Sequence, residues 1–374
     1  MTLILEEGKK VELDRKGSFA IVAITKHGVE LARDLNSKFH QSDLFYMSKF
    51  ERGDEHRRHI QLFEGNVRLL LPSLFQSYKG IIMIVSLGAV VRMIAPILKD
   101  KKTDPAVLVI DDKGEHVISV LSGHLGGANE LTKEVANILD AKPVITTASD
   151  VQQTIAVDLF GSRFGWEWES AKNLTPVSAS VVNEEQVAVV QESGEKEWWH
   201  YKHPLPESIK VYSTIEDAMK AKPRAALVVT HRNLKNTEED ILKNGVLYRP
   251  KVIVLGVGCN RGTSTEEIEQ VIQQTLNELK FSIKSVKAIC SIDLKKDEEG
   301  LLAVAHKYNW EFICYSAKEL NRMSIQDPSE TVYKYTGAYG VSEPAAMLYS
   351  GAKTLSLIKK KSGNVTISVA IIPY

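Results

Sequence analysis

Residues 81–127 read IIMIVSLGAVVRMIAPILKDKKTDPAVLVIDDKGEHVISVLSGHLGG, and the reading of this stretch decides the fold class. Ile81 to Val85 is a short, β-branched apolar run with no polar alternation, the pattern of a strand covered on both faces. Ser86-Leu87-Gly88 reads as its turn, and Ala89 to Leu98 as a helix whose Val90, Val91, Ile94 and Leu98 share one face. Pro96 weakens the far half of that helix, because an interior proline removes a hydrogen bond. Val107 to Ile110 and His116 to Leu121, joined by Asp111 to Gly114, read as a hairpin. Ser122 to Gly127 then leads into a helix ending near Leu139, and Val144 to Thr147 supplies a further strand.

The same strand–turn–helix plan extends in both directions. Upstream, Ser18 to Thr25 reads as a buried strand, Lys26-His27-Gly28 as its turn, Val29 to Phe39 as a helix and Asp43 to Ser48 as a strand. Downstream, the character changes over 151–248, with the aromatic and acidic run Trp166 to Glu169, the polar stretch Glu192 to Lys202, and prolines at 204, 206 and 223. Val187 to Gln191 and Ala225 to Thr230 look like strands there, and Arg232 to Asn244 like an exposed helix or linker. From Lys251 the rhythm resumes with the strand Val252 to Leu255, a turn Gly256 to Gly262, and a helix Thr265 to Leu279 opened by a Ser264/Glu267 capping box. Val286 to Ile292, Glu298 to Tyr308, Glu311 to Ser316 and Val365 to Ile372 read as strand, helix, strand and strand. The expectation is a multi-domain α/β protein with mostly parallel or mixed sheets flanked by helices. It has an N-terminal α/β domain over 1–150, a smaller central α+β domain over 151–248 and a C-terminal α/β domain over 249–374.

Composition narrows the function. With 374 residues the chain exceeds the usual size of one domain, and 44% hydrophobic against 25% charged residues excludes a disordered chain. Lys plus Arg and Asp plus Glu are equal at 47 each, so no global field exists to hold nucleic acid or an anionic membrane. The opening apolar run, Leu3 to Leu5, is far too short for a signal peptide, and nothing later approaches a spanning segment. Cys259, Cys290 and Cys314 are odd in number and widely spaced, which fits reduced thiols. A cytoplasmic protein acting on a small anionic molecule is the expectation.

Three glycine-bearing turns, Ser86 to Arg92, Ser122 to Glu130 and Gly256 to Gly262, sit between strand and helix, where free N–H groups favour anions. None carries a dinucleotide, P-loop or nucleophile-elbow signature, so a covalent serine is not indicated. His124, between glycines, is a candidate general base, with Gly126 and Gly127 as oxyanion donors and Glu130 either steering the ring or favouring the helix dipole. Asp150 and Asp158 are the next candidates for the base, or helix caps. Arg92 and Arg261 could grip carboxylates or form internal salt bridges. The pairs His56/His59 and His200/His203 lack companions at ligand spacing, so no metal site is expected.

The strings SLGAVVRMIAPILKDKKTDPAVLVIDDKGEHVISVLSGHLGGANELTKEVANIL (Ser86 to Leu139) and PVITTASD (Pro143 to Asp150) resemble the cobalt-precorrin-5A hydrolase family. VLGVGCNRGTS (Val254 to Ser264) and YTGAYGVSEPAAML (Tyr335 to Leu348) resemble its C-terminal domain, while 160–248 shows no matching string. The resemblance implies hydrolysis of a δ-lactone on cobalt-precorrin-5A with loss of acetaldehyde. It implies no cofactor, since cobalt arrives within the substrate, and a corrinoid as the one small-molecule partner. Self-association and transient contact with neighbouring pathway enzymes are compatible with it. On this reading His124, Glu130, Asp150 and Asp158 form the catalytic set. Ser86, Gly88, Arg92, Ser122, Gly123, Gly126, Gly127, Gly256, Gly258, Asn260, Arg261, Gly262 and Glu343 line the substrate. The alternative is a non-catalytic corrinoid-binding or delivery protein of the same pathway.

Overall fold

The computed structural model describes residues 2–9, 11–326 and 328–374 and arranges them around three sheets. The first holds β1 (Thr2–Ile4), β2 (Phe19–Ala23), β3 (Ser42–Met47), β4 (Gln61–Glu64), β5 (Gly80–Ile84), β6 (Ala106–Ile110), β7 (His116–Leu121) and β8 (Lys142–Val144). Their spatial order is β1-β4-β3-β2-β5-β6-β7-β8. β5 and β6 are buried at every position, because helices cover both faces. Ile21, Leu35, Ile82, Leu108 and Val135 fill one layer, and Val22, Phe45, Leu74, Met83 and Val90 fill the other.

Local chemistry explains where the helices begin and stop. The expected turn Lys26 to Gly28 is instead the first turn of the helix Lys26–Lys38, because the Thr25 hydroxyl caps it by accepting from Gly28 N–H. The helix after β5 runs Leu87–Ile94 and gives way to a 3-10 turn at Ala95–Ile97, where Pro96 cannot supply an α-helical donor.

One reversal controls the position of every later residue in this sheet. All neighbouring strands are parallel except β6 and β7, which pair Val107 with Leu121 and Ile110 with Val117. β8 runs parallel to β7. The ends of β7 and β8 therefore lie at the opposite edge of the sheet from the end of β5, one strand length or roughly 17 Å away. The turns at Ser86 and Ser122, expected to serve one substrate together, open on opposite edges.

The second sheet comprises β9 (Glu167–Trp168), β10 (Val187–Gln191), β11 (Ile209–Tyr212), β12 (Ala225–Val229) and β13 (Gly245–Arg249), in the order β11-β10-β12-β13-β9. The central region, expected to be α+β, has four parallel strands and only β9 antiparallel. Within the segment Arg232 to Asn244, Asn236–Asn244 is a 3-10 helix. The third sheet comprises β14 (Ile253–Cys259), β15 (Val286–Ile292), β16 (Glu311–Tyr315), β17 (Leu357–Ser362) and β18 (Val365–Ile371), in the order β16-β15-β14-β18-β17. By their contacts the residues fall into two units, one ending at Leu159 with the first sheet and one beginning at Phe160 with the other two. Cys259, Cys290 and Cys314 are free thiols. Among the described residues no helix is long and apolar enough to cross a membrane.

Gly256 and Gly258 are not turn residues. They lie inside β14 and pair with Ser368 and Thr366 of β18. Gly256 is required because the helix Ser342–Ser350 crosses the strand there, and a Cβ would lie 1.8 Å from the Ser342 carbonyl oxygen. Gly256→Ala should therefore overpack this crossing and cost about 1–3 kcal/mol, read as a lowered urea midpoint with an unchanged slope. Unaltered stability would show that the helix can back away from the strand.

Candidate functional site

The turn after β7 is shaped by residues that tolerate tight geometry. Ser122 takes φ 58 and Gly127 φ 81, both left-handed. A Cβ at Gly126 would lie 2.3 Å from the Ser122 Cβ, and one at Gly123 would lie 2.8 Å from Asn129 Oδ1. The Ser122 hydroxyl donates to the Asp104 carbonyl, and Ala128 and Asn129 N–H groups donate to the Ser122 and Gly123 carbonyls. This folds the turn onto the start of the helix Ala128–Leu139, with the His124 ring against Asp150 and Asp158.

His124 is clamped between two carboxylates. Nδ1 lies 2.9 Å from Asp158 Oδ1, and Nε2 lies 3.0 Å from Asp150 Oδ2 and 3.2 Å from Ser149 Oγ. Asp150 and Ser149 come from the short helix Ala148–Val151 after β8, and Asp158 from the turn beyond it. The three ionisable side chains are only 16–22% exposed, so their mutual attraction is poorly screened. The hydrogen bond to Asp158 raises the His124 pKa above its ordinary value. Burial opposes this, and the Asp158 charge together with the Asp150 bond and charge reinforces it. A carboxylate at each nitrogen favours the protonated ring, which can donate on both sides, over the neutral one.

A doubly protonated ring cannot accept another proton, so favouring that state puts the adjoining carboxylates Asp150 and Asp158 forward as bases beside His124. The geometry corrects two expectations. Glu130 does not steer the ring: its carboxylate is 76% exposed and bonds Lys133 at 2.6 Å. Gly127 N–H is committed to the His124 carbonyl at 2.8 Å, so it is no oxyanion donor. In this turn the N–H groups of Gly123, His124, Leu125 and Gly126 have no protein partner among the described residues, and Leu125 and Gly126 follow the ring directly.

The remaining expected residues belong to other elements. Ser86 and Gly88 are exposed at the start of Leu87–Ile94, on the far edge of the sheet, and Arg92 donates to its own Gly88 carbonyl at 2.8 Å. In the second unit, Asn260 bonds Asn364, and Arg261 bonds Asp297 at 2.7 Å and the Leu294 carbonyl at 2.8 Å. Gly262 N–H donates to Glu298, so this turn already holds an internal carboxylate. Burial opposes ionisation of Glu298, but Lys295, the Gly262 N–H and Arg261 outweigh it and hold its carboxyl below the usual range. Glu267 does not close the expected capping box, because its carboxylate bonds Asn364. Glu343 is buried and faces Lys359 at 3.7 Å. Ser149 and Asn129, both at the His124 cluster, were not singled out by sequence. Ser149 stands next to Asp150 in the string PVITTASD, and that adjacency was the available signal. Among the described residues, no group of three or more His, Cys, Asp or Glu side chains is arranged to hold a metal ion.

Comparison with known proteins places this geometry in context. Family models match in three blocks: Cobalamin synthesis G N-terminal over residues 70–150, Cobalamin biosynthesis central region over 155–250, and Cobalamin synthesis G C-terminus over 253–370. The chain is 74% identical over 370 residues to the cobalt-precorrin-5A hydrolase of Priestia megaterium, covering 99% of each. It is 30% identical over 361 residues to the cobalt-precorrin-5A hydrolase of Salmonella typhimurium, covering 95% of this chain and 97% of that one. A 121-residue stretch is 30% identical to Protein CobE of a Sinorhizobium species, covering 32% of this chain and 79% of the relative. His124 and Asp150 fall in the N-terminal block and Asp158 in the central one.

Proposed function

The chain belongs to the cobalamin synthesis G family, and from that premise we propose that the Asp150–His124–Asp158 cluster is where it hydrolyses cobalt-precorrin-5A. The protein is a cobalt-precorrin-5A hydrolase of anaerobic cobalamin biosynthesis, opening the substrate's δ-lactone and releasing acetaldehyde to give cobalt-precorrin-5B. The observation that carries the site is an imidazole ring held between two partly buried carboxylates, next to the unpartnered N–H groups of Leu125 and Gly126.

These groups supply what the chemistry demands. Asp150 takes a proton from water as its oxygen bonds to the lactone carbonyl carbon. The Leu125 and Gly126 N–H groups and the His124 charge stabilise the oxyanion that develops. When the ring C–O bond breaks, the departing oxygen takes a proton from the cluster. That hydroxyl then gives its proton back as the C–C bond breaks, so the two-carbon fragment leaves as acetaldehyde and the electron pair enters the corrinoid ring. Asp158 keeps the imidazolium oriented and charged throughout. In this reading cobalt enters as part of the substrate, no other cofactor takes part, and the corrinoid is the only partner needed. A cytoplasmic setting suits such a small-molecule enzyme.

Purified protein given cobalt-precorrin-5A, without added nucleotide or metal, should release an equivalent of acetaldehyde per corrinoid. A spectral shift with no acetaldehyde would make the protein a carrier. A requirement for a nicotinamide or a nucleoside triphosphate would overturn simple hydrolysis.

A further inference from the structure

We propose that Asn129 is a positioning residue that spends one oxygen of Asp150 on hydrogen bonds and leaves the other to take the proton. This rests on the assignment of the His124 cluster as the hydrolytic centre. Asn129 is 3% exposed and sits in the first turn of Ala128–Leu139. Its Nδ2 donates to Asp150 Oδ2 and to Thr147 Oγ1, both at 2.9 Å, and its Oδ1 accepts from Ser119 Oγ of β7 at 2.7 Å. One amide thus ties together the end of β7, the helix Ala128–Leu139 and the start of Ala148–Val151.

Asp150 Oδ2 also faces His124 Nε2 at 3.0 Å, so two donors converge on that oxygen. Oδ1 faces the Lys133 ammonium across 3.8 Å, beyond hydrogen-bond length, and is the oxygen open to a water proton. The amide also shapes the turn that carries the ring, since a side chain at Gly123 would strike it at 2.8 Å. Neither residue of matching shape meets these demands: Asp would repel Asp150, and Leu would leave the Ser119 hydroxyl and Asp150 Oδ2 each short of a partner.

The charged groups around Asp150 are His124, Asp158, Lys133 and, through Lys133, Glu130. Asn129→Asp keeps the shape and replaces a donor with an anion. It should lower kcat for acetaldehyde release about 100-fold, as small misplacements at a reacting group do, with KM for the corrinoid little changed. The acid limb of its pH profile should move to higher pH, because a neighbouring negative charge disfavours a second carboxylate. Asn129→Ala, which only removes the donor, should move that limb in the same direction by less. Ser119→Ala, which loosens the amide from the strand alone, should lower thermal stability without moving the limb. If folded Asn129→Asp and Asn129→Ala keep the parent profile, the proposal falls. If all three variants lose activity only in step with stability, Asn129 serves the strand–helix junction and nothing more. Asp150→Asn, run alongside, separates the two levels: parent-like turnover there would sink the cluster assignment itself, whatever Asn129 does.

Discussion

Asp150→Asn is expected to slow acetaldehyde release by about 10²- to 10⁴-fold while cobalt-precorrin-5A still binds with near-parent affinity. The substitution is almost isosteric and leaves an oxygen able to accept from Asn129 and His124. What it removes is the ability to take a proton from water. Uniform binding energy is untouched, so the loss should fall on kcat rather than KM. Single-turnover measurement of acetaldehyde, paired with an absorbance titration of the bound corrinoid, separates the two quantities. A loss of less than about tenfold would exclude Asp150 as the general base.

His124→Gln should produce a deficit of the same order, about 10²- to 10⁴-fold in turnover, for a different reason. It removes the positive charge that offsets the repulsion between Asp150 and Asp158 and that faces the developing oxyanion. It should also change how stability depends on pH. The His124 pKa is raised by its carboxylate partners from an ordinary value of 6.5. A group raised on folding contributes stability that is fully present below its unfolded value and is lost as pH climbs through the folded one. The stability gap between parent and variant, measured by urea unfolding, should therefore be widest below pH 6.5 and narrow as pH rises through the raised value. A gap that does not vary with pH would mean that the ring is not charged in the folded protein.

Much of this architecture was legible from residue pattern, and its failures share one physical origin. Runs such as Ile81 to Ile84 and Ala106 to Ile110 announce themselves because both faces of the strand are covered. Gly256 misled because a glycine demanded by a crossing helix looks the same in sequence as one demanded by a turn. The Ser86 and Ser122 turns were grouped by their glycines, although the hairpin legible at Asp111 to Gly114 already sends β7 back to the other edge. His124 stood out as an imidazole between glycines, but its partners did not. Glu130 is six positions away and faces Lys133, whereas Asp150 and Asp158 lie 26 and 34 positions away and reach the ring through the fold. Arg261 likewise meets its carboxylate, Asp297, 36 positions on.

The central claim is that the His124 ring is a clamped cation and a carboxylate is the base, and the ring nitrogens report on this directly. In protein carrying ¹⁵N-labelled histidine, the His124 signals are those that vanish in His124→Gln. At neutral pH both of its nitrogens should carry protons, and its titration should lie above 6.5, the ordinary histidine value. A bare nitrogen at neutral pH, with titration at the ordinary value, would contradict the account and return the role of base to the ring.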